Sequence, residues 1–446
     1  MTTLRSDAIV IGSTLGGLTT GAYLARAGLR VVLIEEAAQA KQPPLLREPF
    51  LLQGLEPDGG LTRVLVELAI PLLARRELLT DRVALQLVLQ DARIDVLPDK
   101  AELARELDAF GLARPYETLD WLEMLAAAAA AARDPLLGNQ TGVAGQIPAR
   151  RGGRGGRGVS RYLLRRPPLP RVHAPLPQPP SGLAAFARAL ASGASGVAQG
   201  DSPAPALLLD STLRANIRAR DAGRPFLDLI RHRLLALHGE IRPANAMSLV
   251  SERGEIGVEL THTRVLAPAM VIAVPREPLR RNLVGDVPAW LRPTTPPVRV
   301  PQRLFRIKRS ALPVGMASRL MIAGSDSSRP FRLSLDADPS SEDLLWLRAS
   351  GPGAADLDAE NPLGALAPFG LHGLLPVNPG EAPIWDLDTA TIEFTEPEPA
   401  LLTRSRPLIA QVGPEATPGL GAEGEALYAR RTAQWLIQRL GGRPQP

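Results

Sequence analysis

Residues 7–36, DAIVIGSTLGGLTTGAYLARAGLRVVLIEE, constrain the fold of this chain more than any other stretch. Asp7 to Ile11 is a short apolar run that ends on Gly12. Leu18 to Ala27 sets helix formers on a 3.6-residue period, closed by Gly28, and Val31 to Ile34 is a β-branched run ending in Glu35. The order is strand, glycine turn, helix, strand. Both strands are continuously apolar rather than alternating, as a parallel sheet covered on both faces requires. Between strand and helix, GSTLGG (Gly12 to Gly17) aims backbone N–H groups and the positive end of a helix dipole at one point, which is what a pyrophosphate needs. Gly12 permits the sharp turn, Gly17 lets the helix pack closely on the strand, and Gly21 helps the same approach one turn further on. Glu35 ends the second strand 23 residues after Gly12. An acid there accepts hydrogen bonds from ribose hydroxyls and disfavours a 2′-phosphate. Ser13 lacks the G-x-S-x-G flanks of a nucleophile elbow.

Beyond this unit the pattern predicts a helix over Leu61 to Leu79 with a break at Pro71, either buried or lying on a membrane surface. A strand follows over Val83 to Leu89, and further helices over Asp99 to Phe110 and Trp121 to Arg133. Asp91 and Asp95, after that strand, read as solvated turn and cap residues. An amphipathic helix over Phe226 to His238 ends at Gly239, with strands at Glu255 to Leu260 and Met270 to Val274. The proline-punctuated stretch 286–400 reads as mixed sheet and loop. A last strand, Leu408 to Val412, leads through a glycine-rich loop into a helix from about Glu423 to Leu440. Five histidines occur in no metal-ligand spacing and there is no cysteine, so no metal site is expected. No apolar run is long enough to span a bilayer, and the N-terminus lacks a signal peptide's regions, which makes the cytoplasm the default.

Charge matters only where it sits. The chain carries 51 Lys plus Arg against 46 Asp plus Glu, a net of +5. Residues 135–200 are dense in Pro, Gly and Arg, with nine arginines and no acid. Removing those nine from the 51 leaves 42 basic against 46 acidic residues, so the remainder is mildly acidic. Such a tract reads as a low-complexity insertion, with a short helix over Ser181 to Leu190. Its Arg-Gly core has almost no interleaved aromatic, which argues against nucleic acid. Peripheral contact of 149–171 with an anionic membrane surface suits it better.

On these residues the N-terminal unit resembles that of the FAD-dependent phytoene desaturase-like oxidoreductases, within the amine-oxidase-type flavoprotein group. Two later segments resemble the same family in its order. GRPFLDLIRHRLLALHGEIRPANAMSLV (223–250) is similar to its second helix and the strand that passes the adenine. PLIAQVGPEATPGLGAEGEALYARRTAQWL (407–436) is similar to its closing segment, whose helix N-terminus faces the flavin. The resemblance implies an α/β fold: a Rossmann-type FAD-binding domain with a parallel central sheet, assembled from discontinuous segments, plus a mixed α+β substrate domain. It divides the chain into FAD-binding segments 1–80, 216–285 and 401–446, a helical substrate segment 81–134, the insertion 135–215 and a substrate domain 286–400. It implies that Gly12, Ser13, Thr14, Gly16 and Gly17 hold the pyrophosphate and Glu35 the ribose. Met247 would pass the adenine, and Gly413, Glu415, Gly419, Gly421 and Glu423 would bring the closing loop and helix to the flavin. The activity implied is dehydrogenation or saturation of C–C bonds in an apolar, isoprenoid-like small molecule by hydride transfer with the flavin, with no catalytic side chain required.

Three departures accompany the resemblance. The family's second glycine is Thr14, where a β-branched side chain is expected to crowd the phosphate or force the loop outward. EAAQAKQPPLLREPF (36–50) has no Gly-Gly-Arg stretch, and Gly413-Pro414-Glu415 replaces Gly-Asp, with Glu415 as its substitute. The same departures suit an alternative: a non-catalytic relative that keeps the fold and binds a lipid or a protein.

Overall fold

The computed structural model describes residues 1–36, 50–71, 78–137, 175–195, 204–291, 298–351, 374–375, 391–393 and 407–441, apart from short gaps inside these ranges. Its centre is a five-stranded, all-parallel sheet. The strands lie in the order Leu408–Gln411, Ala269–Ile272, Ala8–Ile11, Val31–Glu36, Glu240–Ala244. AIVI, AMVI and LIAQ are buried along their whole length, because both faces of the sheet are covered. Burying one Ile or Val side chain contributes roughly 1.5–3 kcal/mol, so these short strands hold by their two covered faces rather than by length.

One face carries three helices, Leu15–Arg26, Arg224–Ala236 and Gly421–Leu440. Leu18, Ala22, Ile230, Leu234, Ala426 and Ala433 make up much of that interface. The other face is covered by a four-stranded sheet in which Thr2–Arg5 runs parallel to Thr263–Ala267, followed by Glu255–Glu259 and Ser248–Glu252. Ile9, Ile11, Val32, Met270 and Ile272 meet Val258 and Val265 there. The sheet therefore unites pieces of chain from the 10s, 240s, 270s and 410s, as the discontinuous reading anticipates.

The second body is a seven-stranded sheet, Leu374–Leu375, Gln302–Lys308, Ser341–Ser350, Phe331–Asp338, Arg319–Gly324, Leu85–Leu89 and Arg93–Val96 in that order. It is antiparallel except where Leu85–Leu89 pairs with Arg319–Gly324. Helices Lys100–Ala109, Pro115–Leu137, Ala184–Ser195 and Pro205–Leu213 pack against its Leu85, Leu87 and Met321 end.

Several elements differ from their sequence reading. Among the described residues, the helix expected over 61–79 covers Gly60–Glu67, residues 72–77 lie outside the described residues, and Leu78–Thr80 is a strand paired with Ile217–Ala219. Its end comes earlier than Pro71, at Ala69, whose φ of 51° no helix continues. Asp99, not Asp95, caps the next helix, its carboxylate accepting from Glu102 N–H at 2.8 Å; Asp91 lies outside the described residues. The stretch read as a 135–215 insertion contributes core at both ends. Leu136 is buried at the end of the long helix, and Phe186, Leu190, Leu207, Leu208 and Leu209 are fully buried. Ala184–Ser195 lengthens the short helix expected over 181–190, whereas proline and glycine content hid Pro205–Leu213, in which Pro205 sits at the first helical position, where its missing N–H costs nothing. The Arg-Gly core at 149–171 lies outside the described residues. Among the described residues, no helix is long and apolar enough to cross a membrane.

Candidate dinucleotide site

The site expected from the sequence lies where the parallel strands end. Gly12 takes φ 107° after Ile11, and its N–H donates to Ile34 C=O at 2.9 Å. A Cβ on Gly17 would stand 2.2 Å from Gly12 O, and one on Gly16 would stand 2.7 Å from Gly413 N. These glycines are fixed by the closeness of helix, turn and closing strand.

Thr14 does not crowd the turn. It is the N-cap of the first helix: its Oγ1 accepts from Gly17 N–H at 3.2 Å and donates to Ala273 C=O at 3.0 Å. The side chain is committed to the protein's own backbone, including the end of a neighbouring strand. Ser13 Oγ donates to Glu35 Oε1 at 2.9 Å. Glu35, the expected ribose acid, is held by Arg231 of the second helix at 2.5 Å and 3.2 Å. Met247 is buried and forms a bridge to Leu283, and its carbonyl accepts from Val284 N–H at 2.8 Å.

The closing segment is equally occupied. Gly413, at φ 93°, accepts from Ala416 N–H and Thr417 Oγ1. Glu415 lies outside the described residues. Gly419 and Gly421 adopt positive φ on the way into the closing helix. Gln53 lies against Gly421; its Oε1 accepts from Ala422 N–H at 3.0 Å and its Nε2 donates to Thr212 Oγ1 at 2.7 Å. Glu423 is fully buried and accepts from Gly60 N–H at 2.7 Å and from Arg133 Nε at 2.8 Å. Arg133 continues to Asp210 at 3.2 Å, and Arg214 joins Asp210, Glu56 and Asp58 at 3.0, 2.8 and 2.9 Å. Burial pushes the Glu56 carboxyl up to about 7 even beside Arg214. Glu423 thus ties the closing helix to the helical layer of the second body.

Sequence reasoning missed the residue at the centre of the site. Glu425, one helical position past Gly424, lies between the closing helix and the first helix, and its Oε1 accepts from Gly16 N–H at 2.7 Å. It is an acid on a face that otherwise presents Ala422, Ala426 and Ala429, all buried, and that mismatch is its sequence signal. Burial pushes its carboxyl up to about 7, against the Gly16 N–H bond that favours the charged form. Arg231 carried no comparable signal, since an arginine on an amphipathic helix is ordinary.

The turn fits a dinucleotide in backbone shape and not in charge. The N–H groups a phosphate would take at the start of the first helix are engaged by Thr14 (at Gly17) and Glu425 (at Gly16). A phosphate charge within about 4 Å of a carboxylate is opposed by roughly 4 kcal/mol at an effective dielectric near 20. The helix dipole returns only about 0.3–2 kcal/mol, so repulsion wins while Glu425 is ionised and in place. Among the described residues no cluster of acids or histidines suits a metal ion.

No family model and no curated protein matches the chain. Solved structures do. Wild-type putrescine oxidase bound to putrescine superposes with a TM-score of 0.52 at 14% identity, covering 98% of this chain and 100% of that one. A doubly substituted form of the same enzyme, from a redesign of its cofactor binding, gives 0.51 at 13% identity over the same shares. At this identity the likeness is one of fold: a parallel-sheet body of Rossmann type joined to a mixed α+β body, along the full length of both chains.

Proposed function

We propose that the chain is an oxidoreductase of the FAD-dependent class whose cofactor groove, in the arrangement described, stands closed by its own acids. The observation that carries this reading is the Gly12–Gly17 turn between two buried parallel strands, with Glu35 at the tip of the second. The fold shared with putrescine oxidase supports it. Purified protein should hold flavin absorption through desalting, or acquire it when FAD is added at pH 6. Colourless protein that takes up no FAD under either condition overturns the reading.

A C–C desaturation of an isoprenoid-like molecule rests on the sequence resemblance alone. The face of the seven-stranded sheet that meets Phe50 is buried and ionic. Arg319 donates to Phe50 C=O and pairs with Asp336, Arg348 pairs with Asp336, and Arg306 pairs with Asp338 while lying over Trp346. That buried face is ionic, which favours a substrate bearing a polar or charged group over a purely apolar one. Comparing flavin reduction by an amine, a carboxylate and an apolar polyene decides between them. The membrane contact of 149–171 stands as a separate proposal, and deleting that tract should abolish binding to anionic liposomes without changing FAD content.

A second reading, a non-catalytic relative that binds a lipid or protein, is favoured by one observation: Glu425 and Arg231 already occupy the dinucleotide's two polar contacts. It expects normal folding with no flavin under any condition.

A further inference from the structure

The closing helix brings two glutamates to two different helix N-termini. Glu423 reaches Gly60 N–H and shares Arg133; Glu425 reaches Gly16 N–H. Among the described residues, no cation pairs with Glu425. The first turn of the first helix carries no acidic residue, and the strand ends beside it contribute Ala273 and Gly413. On its own helix, Glu423 is held by Arg133 and Gly60, Arg430 by Glu67, and Tyr428 is a buried phenol pushed above its ordinary range. From segment 50–60, Glu56 is paired with Arg214, and across the turn Glu35 is paired with Arg231. Among the described residues, burial and the Gly16 bond are what act on Glu425.

We infer that Glu425 is a built-in competitor for the phosphate position: its carboxylate and a bound diphosphate exclude each other at Gly16 N–H. The protein then takes up an anionic nucleotide only as this side chain is neutralised or withdrawn. This rests on the reading of the turn as a dinucleotide site. It is distinct from the role of Glu423, whose charge is balanced and whose bonds hold the two bodies together. Gly16 itself leaves no slack for both ligands, since a Cβ there would already stand 3.0 Å from the Glu425 carboxylate.

The consequence is a pH-dependent gate. With a carboxyl near 7, the competent, neutral form falls from most of the population at pH 6 to a few per cent at pH 8.5, so apparent affinity should weaken about thirtyfold over that range. Glu425→Gln keeps an oxygen for Gly16 N–H and removes the charge.

The experiment measures equilibrium binding of FAD, ADP and inorganic pyrophosphate to the wild-type chain, Glu425→Gln and Glu425→Ala at pH 6 and pH 8.5. The expected result is a steep loss of wild-type affinity at pH 8.5 that both variants abolish. FAD binding that is flat with pH and unchanged in the variants overturns the competitor while leaving the FAD reading intact. Variants that gain ADP and pyrophosphate but never FAD uphold the competitor and overturn the FAD reading. Absence of binding for all three ligands in every form overturns both. The wild-type pH dependence needs no variant to fold.

Discussion

Two buried carboxylates on one helix, two residues apart, perform the same local act in different company. Glu423 and Glu425 each accept a backbone N–H at the start of another helix, Gly60 and Gly16 respectively, both at 2.7 Å. Around Glu423 stand Arg133, Asp210, Arg214 and Glu56, a chain of alternating charge. Glu425 has the Gly16 N–H bond and, among the described residues, no ion pair. A charge with a fixed partner becomes part of the frame, whereas one without a partner stays conditional on pH and on what else arrives. Glu423 thus belongs to the part of the closing segment that holds the two bodies together, and Glu425 to the part that meets the glycine turn.

The strongest test of that division is Arg133→Ala. It strips the countercharge from the fully buried Glu423 and leaves Asp210 with Arg214 alone, and loss of one partner of a buried pair costs about 3–5 kcal/mol. Chemical denaturation should show that loss at neutral pH. A change under about 1 kcal/mol would mean the cluster is wetter and looser than its distances indicate, and that the two glutamates are alike.

Next in size is Glu425→Gln, with the opposite sign. The carboxyl is raised from its ordinary 4.5 to about 7, so the folded state favours the neutral acid. Its contribution is fully present below about 4.5 and is lost as pH rises to about 7, after which the deficit is constant. The glutamine variant escapes that loss and should exceed wild type above pH 7 by on the order of 3 kcal/mol, with little difference near pH 4. Unfolding at pH 4, 6 and 8 reads this directly. Parallel curves for the two proteins would show that Glu425 is not buried as a lone acid.

These two residues also show how far the sequence could be read. The parallel-sheet body was legible because its rules are local: a continuous apolar strand, a glycine where the turn needs it, and helix formers on one period. The seven-stranded sheet was legible only in part: a strand over 83–89 and mixed sheet over 286–400 were expected, but not which of its charged positions are buried. FRLSLDAD and SEDLLWLRAS alternate apolar with charged residues, which normally means one face in water, yet Asp336, Asp338 and Arg348 are buried. Salt bridges of about 3 Å to Arg319 and Arg306 and between Asp336 and Arg348 make that burial tolerable, and those pairings join residues no pattern connects. The candidate site divides in the same way. Gly12, Gly16 and Gly17 were legible as a turn, while Arg231 and Glu425 arrive from helices about 200 and 400 residues away along the chain.

A smaller effect is expected at Thr14. The sequence marks it as an obstacle to phosphate, and the structure makes it a cap whose hydroxyl serves Gly17 N–H and Ala273 C=O. Thr14→Ala should therefore lower stability by about 1 kcal/mol, as loss of an N-cap does. Thr14→Gly should cost less than that as a cap, since glycine is accepted at this position. If thermal melts place both variants at wild-type stability, the hydroxyl is free to turn toward a ligand and the obstacle reading returns.

The smallest stability change belongs to Arg231, and it is the most useful for the comparison because Glu35 stands between the two cases. Like Glu423 it has a guanidinium partner, at 2.5 Å; like Glu425 it holds a position that a nucleotide would claim. The pair is about a quarter exposed on each side, so solvent weakens it and Arg231→Gln should cost no more than about 0.5–1 kcal/mol. In Arg231→Gln the guanidinium no longer competes with ribose hydroxyls for Glu35, which keeps its bond from Ser13 Oγ, and adenosine, which carries no phosphate, should bind several-fold more tightly to the variant at any pH between 6 and 8.5. Glu425→Gln should leave adenosine affinity alone and change only that of the phosphate-bearing ligands. Crossing the two variants against adenosine and ADP thus assigns each acid to its own half of the nucleotide, and a gain for adenosine in the Glu425 variant would show that the two contacts are coupled rather than separate.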